Sequence, residues 1–326
     1  MPANLTPDYV RAEERFRQAA SDAEKLEALQ EMLRTVPKHK GTEKIQADIK
    51  RRMRELRRAA GAAGPGRGPD PFHIPKTGAG QVVLIGPPNV GKSLLLARTT
   101  KAPVKVADYP FTTALPVPGM AQFEDVQIEL VDTPPVTADH LSGGLMNLVR
   151  QADVVGLVID LSADALEQAE MVRNLLAARG ISLRTLAADQ LPADDPGRRC
   201  GLLVANKTDL ASAATVAALR ELYGDELEVQ PTSAMTGEGL DRLIARLWQL
   251  LAVIRVYTKQ PGKPPDHQRP FILDTGSTVE DLARQIHQDL PRRMKYARLW
   301  GHARFDGQQV HRTETLRDKD VVEIHE

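Results

Sequence analysis

The chain has 326 residues and a formal net charge of zero, because 43 Lys and Arg balance 43 Asp and Glu. A chain of this length can form two or three domains, each with its own core. It contains no apolar run of about 18 residues and begins with a charged segment, so neither a membrane span nor a secretory signal is expected. The single cysteine, Cys200, cannot form an internal disulfide, and the histidines lack metal-ligand spacing. We therefore expect a cytoplasmic protein without a histidine metal site.

Residues 1–59 predict a helical, partly basic domain in the form of a hairpin. The first helix begins near Thr6 and carries a single apolar stripe as far as Leu33. The second helix, roughly 42–59, is basic, and segment 36–58 holds 9 Lys and Arg against 3 Asp and Glu. Such a helix could lie along the phosphates of an RNA. Alternatively, its apolar face packs inward and its basic face is only solvated.

The next segment, 60–77, is rich in Gly, Pro and Ala and predicts a flexible linker. Residues 81–85 then have the pattern of a buried strand that leads into GPPNVGKS at 86–93 and a helix. This loop fits GxxxxGK[ST], in which backbone N–H groups at a helix start surround the phosphates of a nucleotide. Lys92 would reach the β- and γ-phosphates, and the hydroxyl of Ser93 would bind Mg²⁺. The residues expected to contact nucleotide here are Gly86, Asn89, Val90, Gly91, Lys92, Ser93 and Leu94.

Two later segments offer further Mg²⁺ ligands. The loop YPFTT at 109–113 carries the hydroxyls of Thr112 and Thr113. An alternating strand at 126–131 runs into DTPP, whose Asp132 would lie at the carboxyl end of the strand beside the phosphate loop. A carboxylate in that position holds Mg²⁺ through water.

A short apolar run, LLVA, ends in NKTD at 206–209. Guanine presents an N1–H and an exocyclic amine on one edge, and the carboxylate of Asp209 could accept both hydrogen bonds. Adenine has the wrong donors there and would be rejected. Alone, NKTD is also ordinary turn chemistry, but its place after a phosphate loop and at a strand end favours the guanine interpretation. The supporting residues would be Asn206 and Lys207 through their side chains, and Ser233 and Ala234 through their backbone N–H groups.

The tail of the chain, 255–326, alternates short strands with one helix and predicts a small α+β domain. A capping box at 277–280 opens that helix, which is expected to run to about Leu290.

The order of these motifs resembles that of the five signature elements of translation-factor-class (TRAFAC) GTPases. The sequence from Tyr109 to Gly119 is similar to that of the Obg-related group, and the tail at 255–326 is similar to a TGS domain. Within that group the chain is most similar to the developmentally regulated GTP-binding (DRG) family, over about residues 78–326. The resemblance implies an α/β P-loop GTPase domain at 78–254, with a mostly parallel sheet covered by helices on both faces. It also implies a β-grasp TGS domain at 255–326.

The resemblance further implies hydrolysis of GTP to GDP and phosphate. Lys92, Thr113 and Asn89 would be the catalytic residues, and Mg²⁺ would lie on Ser93, Thr113 and, through water, Asp132. Thr113 is preferred to Thr112 because it matches the ligand of the family. The implied partners are GTP and GDP and, through the basic helix and the TGS domain, the ribosome or RNA. No membrane partner is expected, and the oligomeric state is left open.

Asn89 is similar to the potassium-ligating Asn of several related GTPases, in which K⁺ occupies the space of an arginine finger. This likeness implies hydrolysis that is stimulated by K⁺. The alternative is an amide that only stabilises the loop.

The chain departs from the family at its third signature element and in the segment that follows it. The third signature element ends in Gly, whose N–H contacts the γ-phosphate, but here that position is Pro135, which has no N–H. Val136 stands where a water-orienting Gln often lies, so intrinsic turnover on the order of 10⁻⁴ to 10⁻² s⁻¹ is expected. The small domain inserted after this element in the family is expected to be absent, since only residues 133–152 precede the next strand.

Two hypotheses therefore remain. In the first, the protein is a slow GTPase that acts in translation or on another ribosome-associated process, with its flanking domains as docking modules. In the second, it is a guanine-nucleotide-dependent module that binds RNA or protein and hardly hydrolyses GTP, because Pro135 and Val136 disable the second switch.

Overall fold

The computed structural model describes residues 7–18, 22–36, 48–49, 51–53, 72–100, 115–137, 141–192 and 194–326. The chain divides into two compact units, Met1–Asp70 and Pro71–Glu326. Some sequence-based expectations fall outside the described residues, namely those for Thr6, Arg54, Arg58, most of the segment 60–77, Thr112 and Thr113.

The N-terminal unit contains helix α1 (Pro7–Gln18), helix α2 (Asp22–Thr35) and further helical residues at 48–49 and 51–53. The expected continuous helix as far as Leu33 is wrong, because α1 and α2 are separate helices that pack against each other. Two short helices can cover each other's apolar stripes, which one straight helix cannot do. Their shared core consists of Tyr9, Ala12, Leu29, Met32, Val36, Ile49 and Met53.

The second unit begins with a seven-stranded sheet in the order β2-β3-β1-β4-β6-β5, in which β7 also pairs with β6. All neighbouring strands are parallel except β2 and β3. The strands are β1 (Gln81–Ile85), β2 (Val117–Phe123), β3 (Val126–Asp132), β4 (Val154–Asp160), β5 (Ser182–Arg184), β6 (Arg198–Asn206) and β7 (Val229–Pro231). The helices are α3 (Lys92–Thr99), α4 (Gly143–Gln151), α5 (Ala165–Ala177), α6 (Ala213–Tyr223) and α7 (Leu240–Leu251).

Helices cover both faces of this sheet. Val83 and Ile85 of β1 share one buried cluster with residues of α4, α5 and α6, whereas Val82 and Leu84 share the other with residues of α3 and α7. Central strands buried on both sides must be apolar throughout, which explains the unbroken run at 81–85. The predicted fold class is therefore confirmed.

The parallel strands bring their carboxyl ends to one edge of the sheet. Asp132, Asp160 and Asn206 are the last residues of β3, β4 and β6, and the loop at 86–93 follows β1. Between Asp132 and β4, α4 is the only helix or strand among the described residues.

The second sheet of this unit has five strands in the order β11-β10-β12-β8-β9. They are β8 (Val253–Thr258), β9 (Asp266–Asp274), β10 (Tyr296–Trp300), β11 (Gln308–Val310) and β12 (Asp320–His325), with helices α8 (Val279–Ile286) and α9 (Leu290–Arg293). The apolar faces of the sheet and helices form a separate core.

The capping box of α8 lies one position later than expected. Thr278 accepts from the N–H of Asp281, and the carboxylate of Asp281 accepts from the N–H of Thr278. The expected end near Leu290 is also wrong, because His287 is extended and ends α8 at Ile286.

Arg255 of β8 joins the two sheets. Its side chain is 2% exposed, and Nη1 lies 2.7 Å from both Glu124 and Asp125 in the turn between β2 and β3. Nη2 lies 2.7 Å from Asp318, and the guanidinium lies 4.9 Å from the ring centroid of Trp248. A buried cation is tolerated only when it is paired in this way, so this cluster fixes β8 against the β2–β3 turn.

Candidate nucleotide-binding site

The loop at 86–93 connects β1 to α3 and has the backbone that a phosphate-binding loop needs. Gly91 has φ of 93°, and a Cβ there would collide with the side-chain amide of Asn206. A Cβ at Gly86 would collide with the carbonyl oxygen of Val158. Both positions require glycine because of this close approach. Asn89 has left-handed φ of 62° and is exposed at the tip of the loop.

Lys92 is nearly buried, with 6% of its surface exposed. Its Nζ donates to the carbonyl oxygens of Gly86 and Pro87, at 3.0 and 2.9 Å. Burial lowers the pKa of Lys92 to about 8, and the nearby Asp132 only partly opposes this shift. A desolvated ammonium group with this little negative charge around it is suited to bind an anion such as phosphate.

Ser93 and Asp132 meet beneath the loop. The Ser93 hydroxyl donates to Oδ2 of Asp132 at 2.5 Å. Oδ1 of Asp132 is buried and has no hydrogen-bond partner among the described residues. Burial raises the pKa of Asp132, although the hydrogen bond from Ser93 and the charge of Lys92 oppose it. A buried carboxylate oxygen without a partner beside a serine hydroxyl fits a hard, oxygen-seeking cation such as Mg²⁺.

The segment after β3 is tied to the phosphate loop. The hydroxyl of Thr133 donates to the carbonyl oxygen of Leu84 at 2.7 Å, and the N–H of Val136 donates to the carbonyl oxygen of Gly86 at 3.0 Å. Val136 is fully buried in the apolar core, and Pro135 beside it is half-buried. The equivalent of the second switch is thus anchored at both ends of DTPPV.

Asn206 connects the NKTD loop to the phosphate loop. Its side chain is 1% exposed, and Nδ2 donates to the carbonyl oxygen of Val90 at 2.8 Å. Oδ1 accepts from the N–H of Ala234 at 3.0 Å. One amide therefore holds together three segments that are distant in sequence.

Asp209 and Lys207, which follow Asn206 in the same loop, contact other residues. Asp209 is exposed, and its Oδ1 accepts from the hydroxyl of Ser233 at 2.5 Å. Lys207 has left-handed φ of 67°, and its Nζ lies 2.5 Å from Oδ2 of Asp160.

The backbone N–H groups of Ser233 and Ala234 were expected to face the base. In the structure the N–H of Ser233 donates to the carbonyl oxygen of Glu238, at 2.9 Å, and that of Ala234 donates to Asn206. Both donors are therefore engaged within the protein, because the 233–238 turn closes on itself and on the NKTD loop. The side chain of Ser233, which the sequence interpretation did not use, contacts Asp209 instead.

Asp160 is the other residue that the motif analysis missed. It ends β4 as Asp132 ends β3, and it is 8% exposed. The signal that could have found it is an Asp at the end of the apolar run 154–159, at the same sheet edge as the other motifs. Leu94, which was expected to contact nucleotide, is half-buried, and its side chain packs against the apolar cluster that α3 and α7 share with the sheet.

Two family models match the chain. Residues 81–186 match the model described as 50S ribosome-binding GTPase, and residues 254–326 match that of the TGS domain.

Relatives of similar architecture align over most of the chain. Developmentally-regulated G-protein 1 of Arabidopsis thaliana is 30% identical over 365 positions, which cover 90% of this chain and 88% of the relative. Developmentally-regulated GTP-binding protein 2 homolog of Dictyostelium discoideum is 29% identical, with 92% and 98% covered. The first alignment is longer than the chain itself, so that relative contains segments that this chain lacks.

Solved structures show more distant likenesses of fold. Era from Aquifex aeolicus, bound to GDP·AlF4⁻, has a TM-score of 0.42 at 20% identity and covers 68% of this chain and 71% of its own. NFeoB from S. thermophilus, bound to GDP·AlF4⁻ and K⁺, has a TM-score of 0.39 at 21% identity and covers 51% and 60%.

A phosphate loop after β1, an Asp at the end of β3, and an NKTD loop bonded to the phosphate loop and to the loop after β7 define a P-loop GTP-binding protein, a GTPase by class. The relatives above identify the family within this class of GTPases. The chain belongs to the family of developmentally regulated GTP-binding proteins and carries a C-terminal TGS domain. Within the described ranges, no helix has the length and apolarity to cross a membrane.

Proposed function

We propose that the protein hydrolyses GTP to GDP and phosphate with slow intrinsic turnover. The observation that carries this proposal is the side chain of Asn206, which bonds Val90 in the phosphate loop and Ala234 in the loop after β7. A base-reading loop and a phosphate loop that are held to each other by a buried amide form one site for a guanine nucleotide. Asp209 would read the guanine edge, and Ser233 would orient it.

The chemistry is attack of water on the γ-phosphorus, which requires positioning and neutralisation of charge rather than a covalent intermediate. Lys92 would release the carbonyl oxygens of Gly86 and Pro87 and bind the phosphates. Ser93, Thr113 and, through water, Asp132 would hold Mg²⁺, and the unpartnered Oδ1 of Asp132 supports this assignment. Bound Mg²⁺ would supply positive charge that neutralises the phosphates.

Slow turnover is proposed because Val136 is buried and apolar and therefore offers no polar atom to orient the attacking water. Asn89 is the proposed K⁺ ligand, and its exposed amide at the tip of the loop would face the phosphates from outside. K⁺ there would compensate in part for the missing water-orienting group.

The test is single-turnover hydrolysis of GTP in KCl and in NaCl of the same ionic strength. We expect slow hydrolysis that is faster in K⁺. Asn89→Gly keeps the left-handed backbone but removes the amide, and should lose the K⁺ effect. Asn147→Ala, an exposed change on α4, is the matched control and should keep it. K⁺ stimulation that survives in Asn89→Gly would overturn the ligand role.

A second candidate function is favoured by the anchoring of the segment after β3. The N–H of Val136 donates to Gly86, and Pro135 has no N–H to offer a γ-phosphate. A segment held in this way would respond little to the loss of that phosphate, so the protein would act as a guanine-nucleotide-dependent binding module. GTP that binds in both salts and stays intact over hours would favour this function over hydrolysis.

We further propose that the protein acts in the cytoplasm on ribosomes or RNA, through its basic N-terminal helix and its TGS domain. The family description of residues 81–186 supports a ribosomal partner. Among the described helical residues at 48–49 and 51–53, Arg51 and Arg52 are exposed, and both pair with Asp48.

The test is cosedimentation with ribosomes across a salt series. Arg51→Gln with Arg52→Gln should weaken binding and lower its salt dependence. Arg220→Gln with Arg242→Gln changes two exposed arginines of the second unit and should not. Equal losses in both double variants would mean that net charge, rather than this helix, determines binding.

A further inference from the structure

Asp160 is a buried carboxylate at the edge of the sheet where the nucleotide motifs meet. It is 8% exposed and ends β4, directly beside Asn206 in the register of β4 with β6. Its Oδ1 accepts from the N–H and the hydroxyl of Ser162, at 2.8 and 2.6 Å, and its backbone N–H donates to the side chain of Gln168. These contacts fix the carboxylate in one orientation.

The other oxygen of Asp160 bonds the lysine of the NKTD loop. Oδ2 lies 2.5 Å from Nζ of Lys207, whose side chain is 29% exposed. Burial opposes ionisation of Asp160, but the hydrogen bonds from Lys207 and Ser162 outweigh it and lower the pKa of the carboxyl. The carboxylate of Asp160 is therefore ionised at neutral pH, and its contact with Nζ fixes the end of the lysine in position.

Lys207 is held at both ends. Its backbone has left-handed φ of 67° and ψ of 42°, and the preceding carbonyl, that of Asn206, accepts from the N–H of Leu161 at 2.9 Å. Asp160 ends β4 and Leu161 follows it directly, so adjacent residues hold the backbone before Lys207 and the end of its side chain. The alkyl stem of a lysine that is held in this way can present an apolar surface to one face of a purine ring.

We propose that Asp160 is a positioning residue for guanine nucleotide binding, which acts by holding Lys207 over the base. The inference rests on the proposed guanine-binding role of the NKTD loop. It assigns Nζ of Lys207 to Asp160 rather than to a phosphate, so Asp160 affects binding of the nucleoside end of the ligand and not the chemistry at the γ-phosphate.

The test is a double-mutant cycle with fluorescent GDP, measured as dissociation constant and dissociation rate. Asp160→Asn keeps an oxygen for Ser162 but removes the charge that holds Lys207. It should weaken GDP binding about 10-fold, mainly through faster dissociation. Lys207→Ala should weaken binding at least as much. Adding Asp160→Asn to Lys207→Ala should then have no further effect.

A purely structural role of Asp160 would give a different pattern. In that case its substitution would weaken binding by the same factor whether or not Lys207 is present, and the proposal would be overturned. Unchanged GDP binding in Asp160→Asn would also overturn it. Glu167→Gln, which neutralises an exposed carboxylate on α5 outside this network, is the matched control and should bind GDP within about 2-fold of the native protein.

Steady-state hydrolysis gives an independent readout. Asp160→Asn should raise KM for GTP and leave kcat unchanged, since the phosphate end of the site is intact. An equal loss in kcat would contradict the inference. If the native protein does not bind GDP at all, the proposed function itself fails. Native binding with an unaltered Asp160→Asn variant contradicts only the role of Asp160.

Discussion

The hydroxyl of Ser233 donates to Oδ1 of Asp209 at 2.5 Å. Among the described residues, no other hydrogen bond to this exposed carboxylate is found. The same hydroxyl oxygen accepts from the N–H of Thr236 at 3.1 Å, so the turn after β7 orients the serine. The residue that would read guanine is thus positioned by a loop 24 residues further along the chain.

Ser233→Ala should therefore weaken GDP binding. It removes one hydrogen bond to a charged group at an exposed position, so we expect a loss of about 3- to 10-fold in affinity. The measurement is a titration with fluorescent GDP. Ser212→Ala, an exposed hydroxyl at the start of α6, should bind GDP as the native protein does. Native affinity in Ser233→Ala would show that Asp209 needs no support.

The lowered pKa of Lys92, about 8, makes nucleotide binding depend on pH. Phosphates favour the charged lysine, so binding raises this pKa and takes up a proton when the solution lies above about pH 8. GDP affinity should fall as pH rises from 8 to 9.5, by at most tenfold per pH unit. Calorimetry at pH 8.5 in two buffers of different ionisation enthalpy should detect the proton. Binding without proton uptake would contradict this prediction.

The same group affects the stability of the nucleotide-free protein. The pKa of Lys92 is about 8 in the folded state and 10.5 for an ordinary lysine, so between these values the unfolded chain binds more protons. The free energy of unfolding should therefore rise with pH in this window. Denaturant unfolding of the native protein and of Lys92→Met at pH 8 and pH 10 measures the effect. The rise should be smaller in Lys92→Met, and an identical rise would assign it to other groups.

Pro135→Gly should improve discrimination between GTP and GDP. Glycine restores an N–H at the position where the family contacts the γ-phosphate, and one additional hydrogen bond corresponds to about 5-fold in affinity. The measured quantity is the ratio of dissociation constants for GDP and a non-hydrolysable GTP analogue. Pro134→Gly loosens the same segment without that N–H and is the control. An equal change in both variants would indicate flexibility rather than a new contact.

Arg255→Met should destabilise the second unit. It removes the cation from a cluster in which Glu124, Asp125 and Asp318 remain, and partial exposure of these carboxylates limits the cost to about 2–4 kcal/mol. Denaturant unfolding measures this loss. Lys319→Ala, which breaks an exposed pair with Glu124, should cost much less than Arg255→Met. Similar losses of stability in both variants would show that burial of Arg255 does not contribute to the stability of the second unit.

The central fold could be predicted from sequence because local signals agreed with it. The apolar run 81–85 has the pattern of a strand that is covered on both faces, and the glycines of the phosphate loop satisfy close approaches that any such loop has. The division of the N-terminal helices could not be predicted in this way. Both stripes have helical spacing, and only packing of α1 on α2 distinguishes two helices from one.

The site was predictable where a motif supplies the contact itself and not where the fold brings residues together. Asn206, which the NKTD motif contains, bonds Val90 of the phosphate loop. Asp160 and the side chain of Ser233 reach the site only because β4, β6 and β7 end at one edge of the sheet. The N–H groups of Ser233 and Ala234 were assigned to the base because hydrogen bonding within a turn cannot be read from a tripeptide. The domain boundaries proposed at 59, 77 and 254 stay predictions.

The hairpin of β2 and β3 makes contacts of charged side chains at both of its ends. One end presents Glu124 and Asp125 to Arg255, and the other carries Asp132 beneath the phosphate loop. By thermodynamic reciprocity, a ligand of the C-terminal sheet that strains this hairpin must alter nucleotide affinity by the same factor by which nucleotide alters the affinity of that ligand.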